Sequence, residues 1–117
     1  MKRKNCCPIA QALGVLGDKW SLIVLRDVIF GKKRHFNDLL ASPEKISTNI
    51  LSNRLKTLQE ESLLCCSVDL ENRRSKIYTP TEKAQDLVPV LVELYKWGEK
   101  YNDRADRAEN PMQDEPF

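Results

Sequence analysis

Five small polar or basic side chains recur within residues 47–61: Thr48, Asn49, Ser52, Asn53 and Lys56. At 3.6 residues per turn, Thr48, Ser52 and Lys56 stack along one line of a helix, and Asn49 and Asn53 along the next. Leu51, Leu55 and Leu58 fall on the opposite face. The segment therefore reads as an amphipathic helix with an unusual polar side. A helix that needed only to be soluble would more often carry Glu and Lys there. Asn pairs bidentately with adenine, and Ser and Thr bond to bases or to phosphates. The chemistry these residues offer is hydrogen-bonded reading of a major groove. Ser47 serves as helix cap and phosphate donor, and Lys56 as a charge near the backbone. A solvated helix face is the competing reading.

An apolar run follows, Leu63 to Leu70, then the polar tip Glu71-Asn72-Arg73-Arg74 and a second apolar stretch near 75–79. This order predicts a β-hairpin, with strands at about 64–70 and 75–79. Arg73, Arg74 and Lys76 surround its turn. Charge is expected at any exposed turn, but after a polar-faced helix it suits phosphate contact. Arg54 sits at the edge of the helix's apolar face, where it is either a phosphate contact or half of an internal salt bridge. Lys32-Lys33-Arg34 either touches the DNA backbone or forms a solvated turn.

The four cysteines form two adjacent pairs, Cys6-Cys7 and Cys65-Cys66. Neither pair has the C-x-x-C spacing of a zinc ribbon. Cys7 precedes Pro8, where a helix starts, and follows Lys2-Arg3-Lys4. Positive charge and a helix N-terminus both favour a thiolate, which makes Cys7 a candidate redox sensor as against a packed thiol. Cys65 and Cys66 lie in a strand whose neighbours point to opposite faces, which predicts that one is a small core residue. His35, the only histidine, reads as a capping or phosphate-contacting residue. No metal site and no cofactor are predicted; a set of Cys6, Cys7 and His35 is the weak alternative. A phosphate-binding glycine loop and clustered catalytic carboxylates are both missing, which argues against an enzyme.

The elements that must position these groups follow from periodicity and punctuation. Pro8 to about Gly17 fits a first helix with Ile9, Leu13 and Leu16 on one face. Asp18 is a good N-cap for a second helix at about 19–30, apolar around most of its circumference and so central; Arg26 and Asp27 are its exposed or paired exceptions. His35 to Leu40 forms a short helix with Phe36, Leu39 and Leu40 inward, broken at Ser42-Pro43. Thr81 caps a last helix at about 82–102, which Pro89 should bend. Its apolar face carries Leu87, Val88, Val90, Leu91, Leu94 and Tyr95, too broad for a lone surface helix, so a dimer interface is the economical explanation. The fold class predicted is mainly α with a small β-hairpin wing, a winged helix-turn-helix.

The chain of 117 residues supports one domain, expected over 1–102, with a mobile acidic tail over 103–117. Net charge is only +2, because that tail offsets a basic body. No apolar run approaches the roughly 20 residues that span a bilayer, and the basic N-terminus leads into no secretion signal, so the expected location is cytoplasmic, without membrane contact.

Together these residues resemble the HxlR family of bacterial winged helix-turn-helix transcriptional regulators. The resemblance rests on Cys7-Pro8-Ile9-Ala10, Gly17-Asp18-Lys19-Trp20, Leu25-Arg26 and Phe36-Asn37-Asp38-Leu39. It continues through Ile46 to Leu58, Tyr78-Thr79-Pro80-Thr81, Leu87-Val88-Pro89-Val90-Leu91 and Trp97-Gly98. It implies a homodimer on double-stranded DNA, held by the N- and C-terminal helices through Ile9, Leu13, Leu16, Leu87, Leu91, Leu94 and Tyr95. It implies that helix 47–61 enters the major groove while the wing touches phosphate or minor groove. Some members sense oxidants or electrophiles through a cysteine near the N-terminus, the place of Cys7 here. Ser62 and Ala84 stand where the family favours glycine, and Ser62 predicts a differently shaped helix end. The alternative to sequence-specific regulation is a winged helix that binds a protein partner.

Overall fold

The computed structural model describes residues 7–102 and 111–112. In chain order the elements are α1 (Pro8–Leu16), α2 (Lys19–Ile29), α3 (Phe36–Leu40), α4 (Thr48–Glu60), β1 (Leu64–Val68), β2 (Lys76–Pro80), α5 (Glu82–Gln85) and α6 (Val88–Tyr101). The sequence punctuation accounts for most of these bounds. Pro8 occupies the first turn of α1, where its missing N–H costs nothing. Gly17 follows α1 at a close backbone approach, where a Cβ would collide with the Leu13 carbonyl oxygen. Asp18 caps α2 by accepting from the Ser21 amide at 2.9 Å, and Ser47 caps α4 by accepting from the Ile50 amide at 3.2 Å.

The helix α2 runs through the middle of the molecule, with Val24, Leu25 and Val28 almost fully buried. Leu39 of α3, Ile46, and Leu51, Leu55 and Leu58 of α4 close over it, joined by Leu63, Leu64, Ala84 and Leu91. Strands β1 and β2 form an antiparallel hairpin with Leu64 opposite Pro80 and Cys66 opposite Tyr78. Only its base is packed: Leu64 and Tyr78 are buried, and every residue of β1 beyond Leu64 is exposed. The expectation that one of Cys65 and Cys66 enters the core is therefore wrong, since both are exposed. A two-stranded ribbon projecting from the domain has no layer to cover it.

The last helix also differs from expectation. Pro89 does not bend a continuous helix over 82–102. The chain breaks after α5, and Pro89 lies in the first turn of α6, where an absent N–H is harmless. The end of α4 keeps a left-handed residue despite lacking glycine. Ser62 has φ 62°, and the Leu63 amide donates back to Leu58 O at 2.8 Å, so the expected reshaping does not occur. Lys32 and Lys45 are left-handed as well, with φ 53° and 61°.

A charged cluster seated on buried Arg26 and Asp27 fixes the turn between α3 and α4. The Arg26 guanidinium, on α2, donates to both Glu44 carboxylate oxygens at 2.7 and 2.9 Å and to Asp27 at 2.8 and 3.0 Å. Ser42 Oγ donates to Glu44 at 2.6 Å. These bonds hold Glu44 down to a pKa of about 2, with the Arg26 hydrogen bonds outweighing the opposing effect of partial burial.

The residues expected at a dimer interface divide into two groups. Leu16 and Leu91 are buried within the chain itself, and Leu87 and Tyr95 are half-buried against the core. Ile9 and Leu13 of α1 and Leu94 of α6 are exposed, beside exposed Val90, Trp97 and Tyr101. The acidic tail lies mostly outside the described residues; within it, Met112 is buried in the core.

Candidate nucleic-acid interface

The apolar stripe of α4 decides what its other side can do. Leu51, Leu55 and Leu58 anchor the helix on α2, which turns Asn49, Asn53 and Lys56 directly outward, with Thr48 and Ser52 on one flank. All five are exposed, as is Ser47 at the cap. The structure thus brings the predicted polar set together on one convex ridge.

Arg54 belongs elsewhere. It is half-buried on the opposite flank of α4, and its Nη1 donates to Asp18 Oδ2 at 2.6 Å. Its Nε donates to Asn53 Oδ1 at 3.1 Å, and its Nη2 donates to the same oxygen. Of the two roles left open, the structure places it in the internal ion pair. Partial burial raises the Asp18 carboxyl pKa, but the Ser21 amide and hydroxyl together with Arg54 more than offset this and leave it below the usual range. Asp18, Trp20, Asn49, Ile50, Asn53 and Arg54 line a shallow groove of about 390 Å³ beside the ridge. Lys19 lies 4.6 Å from the centre of the Trp20 ring.

The hairpin carries the other basic groups. Arg73, Arg74 and Lys76 are exposed around its turn, where Asn72 Oδ1 accepts from the Arg74 amide at 3.2 Å and Asn72 O from the Ser75 amide at 2.8 Å. His35 ties this wing to the body. Its Nε2 lies 3.1 Å from Asp69 Oδ2, at the end of the hairpin, and its Nδ1 lies 3.6 Å from Asp38. The Glu71 amide and His35 hold the Asp69 carboxyl below its usual range. Between α3 and the wing lies a polar cavity of about 270 Å³, lined by His35, Phe36, Asn37, Arg74, Ser75, Lys76 and Tyr78. Burial, then Cys66, pushes the Tyr78 hydroxyl up.

The basic run before α3 proves largely structural. Arg34 Nη1 donates to Val28 O at 2.6 Å, Arg34 O accepts from the Tyr78 amide at 2.8 Å, and Lys33 lies 3.9 Å from buried Asp27. Sequence reasoning missed Asp69 as the partner of His35 and Glu44 as the partner of Arg26. No local signal marks such pairs, which lie 34 and 18 residues apart.

Cys7 is the N-cap residue of α1 and is exposed; its neighbour Cys6 falls outside the described residues. Among the described residues no group of three or more His, Cys, Asp or Glu is arranged to hold a metal ion. No helix there is long and apolar enough to cross a membrane.

Comparison with known proteins agrees with this geometry. The HTH-type transcriptional regulator YdeP of Bacillus subtilis is 35% identical over 103 residues, covering 88% of this chain and 80% of its own length. The crystal structure of PA1607 superposes with a TM-score of 0.77 at 33% identity, over 91% of this chain and 72% of that one. The redox regulator HypR in its oxidised form superposes with a TM-score of 0.72 at 26% identity, over 84% of this chain and all of its own. The family model of the HxlR-like helix-turn-helix matches residues 15–106. With the polar ridge, the capped helices and the basic wing in this order, the chain belongs to the HxlR-like helix-turn-helix family of DNA-binding transcriptional regulators.

Proposed function

We propose that the protein is a homodimeric, sequence-specific regulator of transcription that acts in the cytoplasm on an inverted repeat. The observation that carries this reading is the exposed ridge of α4, whose small hydrogen-bonding side chains face away from the core and toward solvent. In this reading α4 is the recognition helix. Ser47, Thr48, Asn49, Ser52, Asn53 and Lys56 contact bases and phosphates, and Arg73, Arg74 and Lys76 hold the backbone beside the wing. The exposed apolar residues of α1 and α6 supply the contact between two copies. A two-fold dimer then sets the recognition helices about one DNA turn, roughly 34 Å, apart.

The similarity to HypR, described as a redox regulator, supports a thiol signal in this chain too. Cys7 is the residue for it: exposed, and at the first turn of a helix that contributes Ile9 and Leu13 to the apolar surface. Oxidation there would alter the packing of two copies and with it the spacing of their recognition helices.

The test is anisotropy of the reduced protein on its own upstream DNA, with a scrambled duplex as control and salt varied. Tight, sequence-dependent binding with a steep salt slope is the expected result. Equal, weak binding to both duplexes would leave two readings, an operator elsewhere or a protein-binding winged helix, and failure to enrich any sequence from a random pool would decide for the second. For the thiol signal, release of the Cys7→Ser protein from DNA by oxidant as readily as wild type would refute a role for Cys7.

A further inference from the structure

Arg54 and Asn53 are adjacent in the chain but diverge on α4. Asn53 stands on the outward ridge, while Arg54 bends back into the groove against Asp18. The guanidinium forks between them, with Nη1 on Asp18 Oδ2 at 2.6 Å and both Nε and Nη2 on Asn53 Oδ1. This fixes which way the Asn53 carboxamide faces. A guanidinium has donors only, so the group it meets must be the amide oxygen, and the Nδ2 amino group is left on the far side. Asp18 is held in its turn by the Ser21 amide at 2.9 Å and the Ser21 hydroxyl at 3.1 Å, so the fork is built from a fixed point at the cap of α2.

We propose that Arg54 is a positioning residue that sets the base preference of Asn53. It occupies the acceptor of the carboxamide, so that Asn53 presents only donors to the major groove. An unrestrained Asn reads adenine with both ends at once, accepting from N6 and donating to N7. With its oxygen engaged, Asn53 can only donate, which best suits the paired N7 and O6 acceptors of guanine; adenine offers N7 beside an amino group that then finds no acceptor, and cytosine offers only a donor. Arg54 thereby acts on sequence choice without touching DNA, and so does Asp18 behind it. This inference rests on the proposed DNA-binding function.

The experiment is selection from a randomised duplex pool by four full-length proteins: wild type, Asn53→Ala, Arg54→Met and Arg54→Lys. The base pair whose preference disappears in Asn53→Ala is the one Asn53 faces. At that pair wild type should select guanine, and both Arg54 variants should move to adenine, gaining about tenfold or more for it over wild type. Arg54→Lys guards against misfolding, because it keeps a charge for Asp18 but lacks the planar fork needed to hold two partners. Adenine already preferred by wild type, or an unchanged base in both Arg54 variants, would overturn the inference and leave DNA reading intact. Failure of every protein to enrich any sequence would overturn the DNA-binding reading and the inference with it.

Discussion

Replacing Glu44 with glutamine removes one charge and almost no volume from the cluster that fixes the turn before α4. In the native protein both Glu44 oxygens accept from Arg26, and one also accepts from Ser42. The carboxyl pKa falls from the ordinary 4.5 to about 2. For a wholly buried group that gap would correspond to roughly 3 kcal/mol, at about 1.4 kcal/mol per pH unit. A third of the Glu44 side chain (33%) remains in water, so solvent screening reduces the figure. The expected loss in Glu44→Gln is about 1–2 kcal/mol at pH 7. The sign with pH follows from the depressed pKa. The contribution is complete above about pH 4.5–5, shrinks to under half by about pH 3, and is gone below pH 2. Urea titrations of wild type and variant between pH 7 and pH 2.5 measure it directly. The two stability curves should converge as the pH falls. A variant as stable as wild type at pH 7, or a difference that stays constant down to pH 3, would refute this account of the cluster.

Other substitutions test other parts of the molecule. Ser62→Gly relieves a left-handed serine and should raise stability by about 0.5–1 kcal/mol in the same titrations, while a loss would mean the turn is not strained. Arg74→Ala should weaken binding to specific and scrambled DNA alike and reduce the slope of log K against log salt by about 1, whereas an unchanged slope would remove Arg74 from the interface. Leu94→Glu places a charge on the exposed apolar face of α6 and should turn a dimer into a monomer in sedimentation at micromolar concentration; a persistent dimer would locate the interface elsewhere.

The parts of the fold visible in the sequence are those written locally. The α4 ridge follows from a period of 3.6, and Asp18 and Ser47 announce the helices they cap within three residues. Pro89 misleads because the same residue breaks a helix from inside and opens one from its first turn, and nothing local distinguishes the two. Cys65 and Cys66 carry a strand's alternation but no sign that the hairpin has no covering layer. Arg54 could not be assigned because Asp18, its partner, lies 36 residues away. Leu16 and Leu91 show the same limit: an apolar helix face does not say whether its own chain or a second copy covers it.

Among the described residues, the three left-handed ones that are not glycine, Lys32, Lys45 and Ser62, stand at the joints of one unit: before α3, before α4 and after α4. Each joint holds a conformation that its side chain disfavours by about 1–2 kcal/mol, so surrounding contacts and not local preference keep it bent. The segment that carries α3 and α4 is consequently held in shape by its surroundings more than by its own backbone preferences. Glycine at all three would remove that cost and loosen the joints at once, because it enters the left-handed region freely and every other region as well. Faster amide exchange at 31–33, 44–46 and 61–63 in the glycine-substituted protein than in wild type would display that loosening.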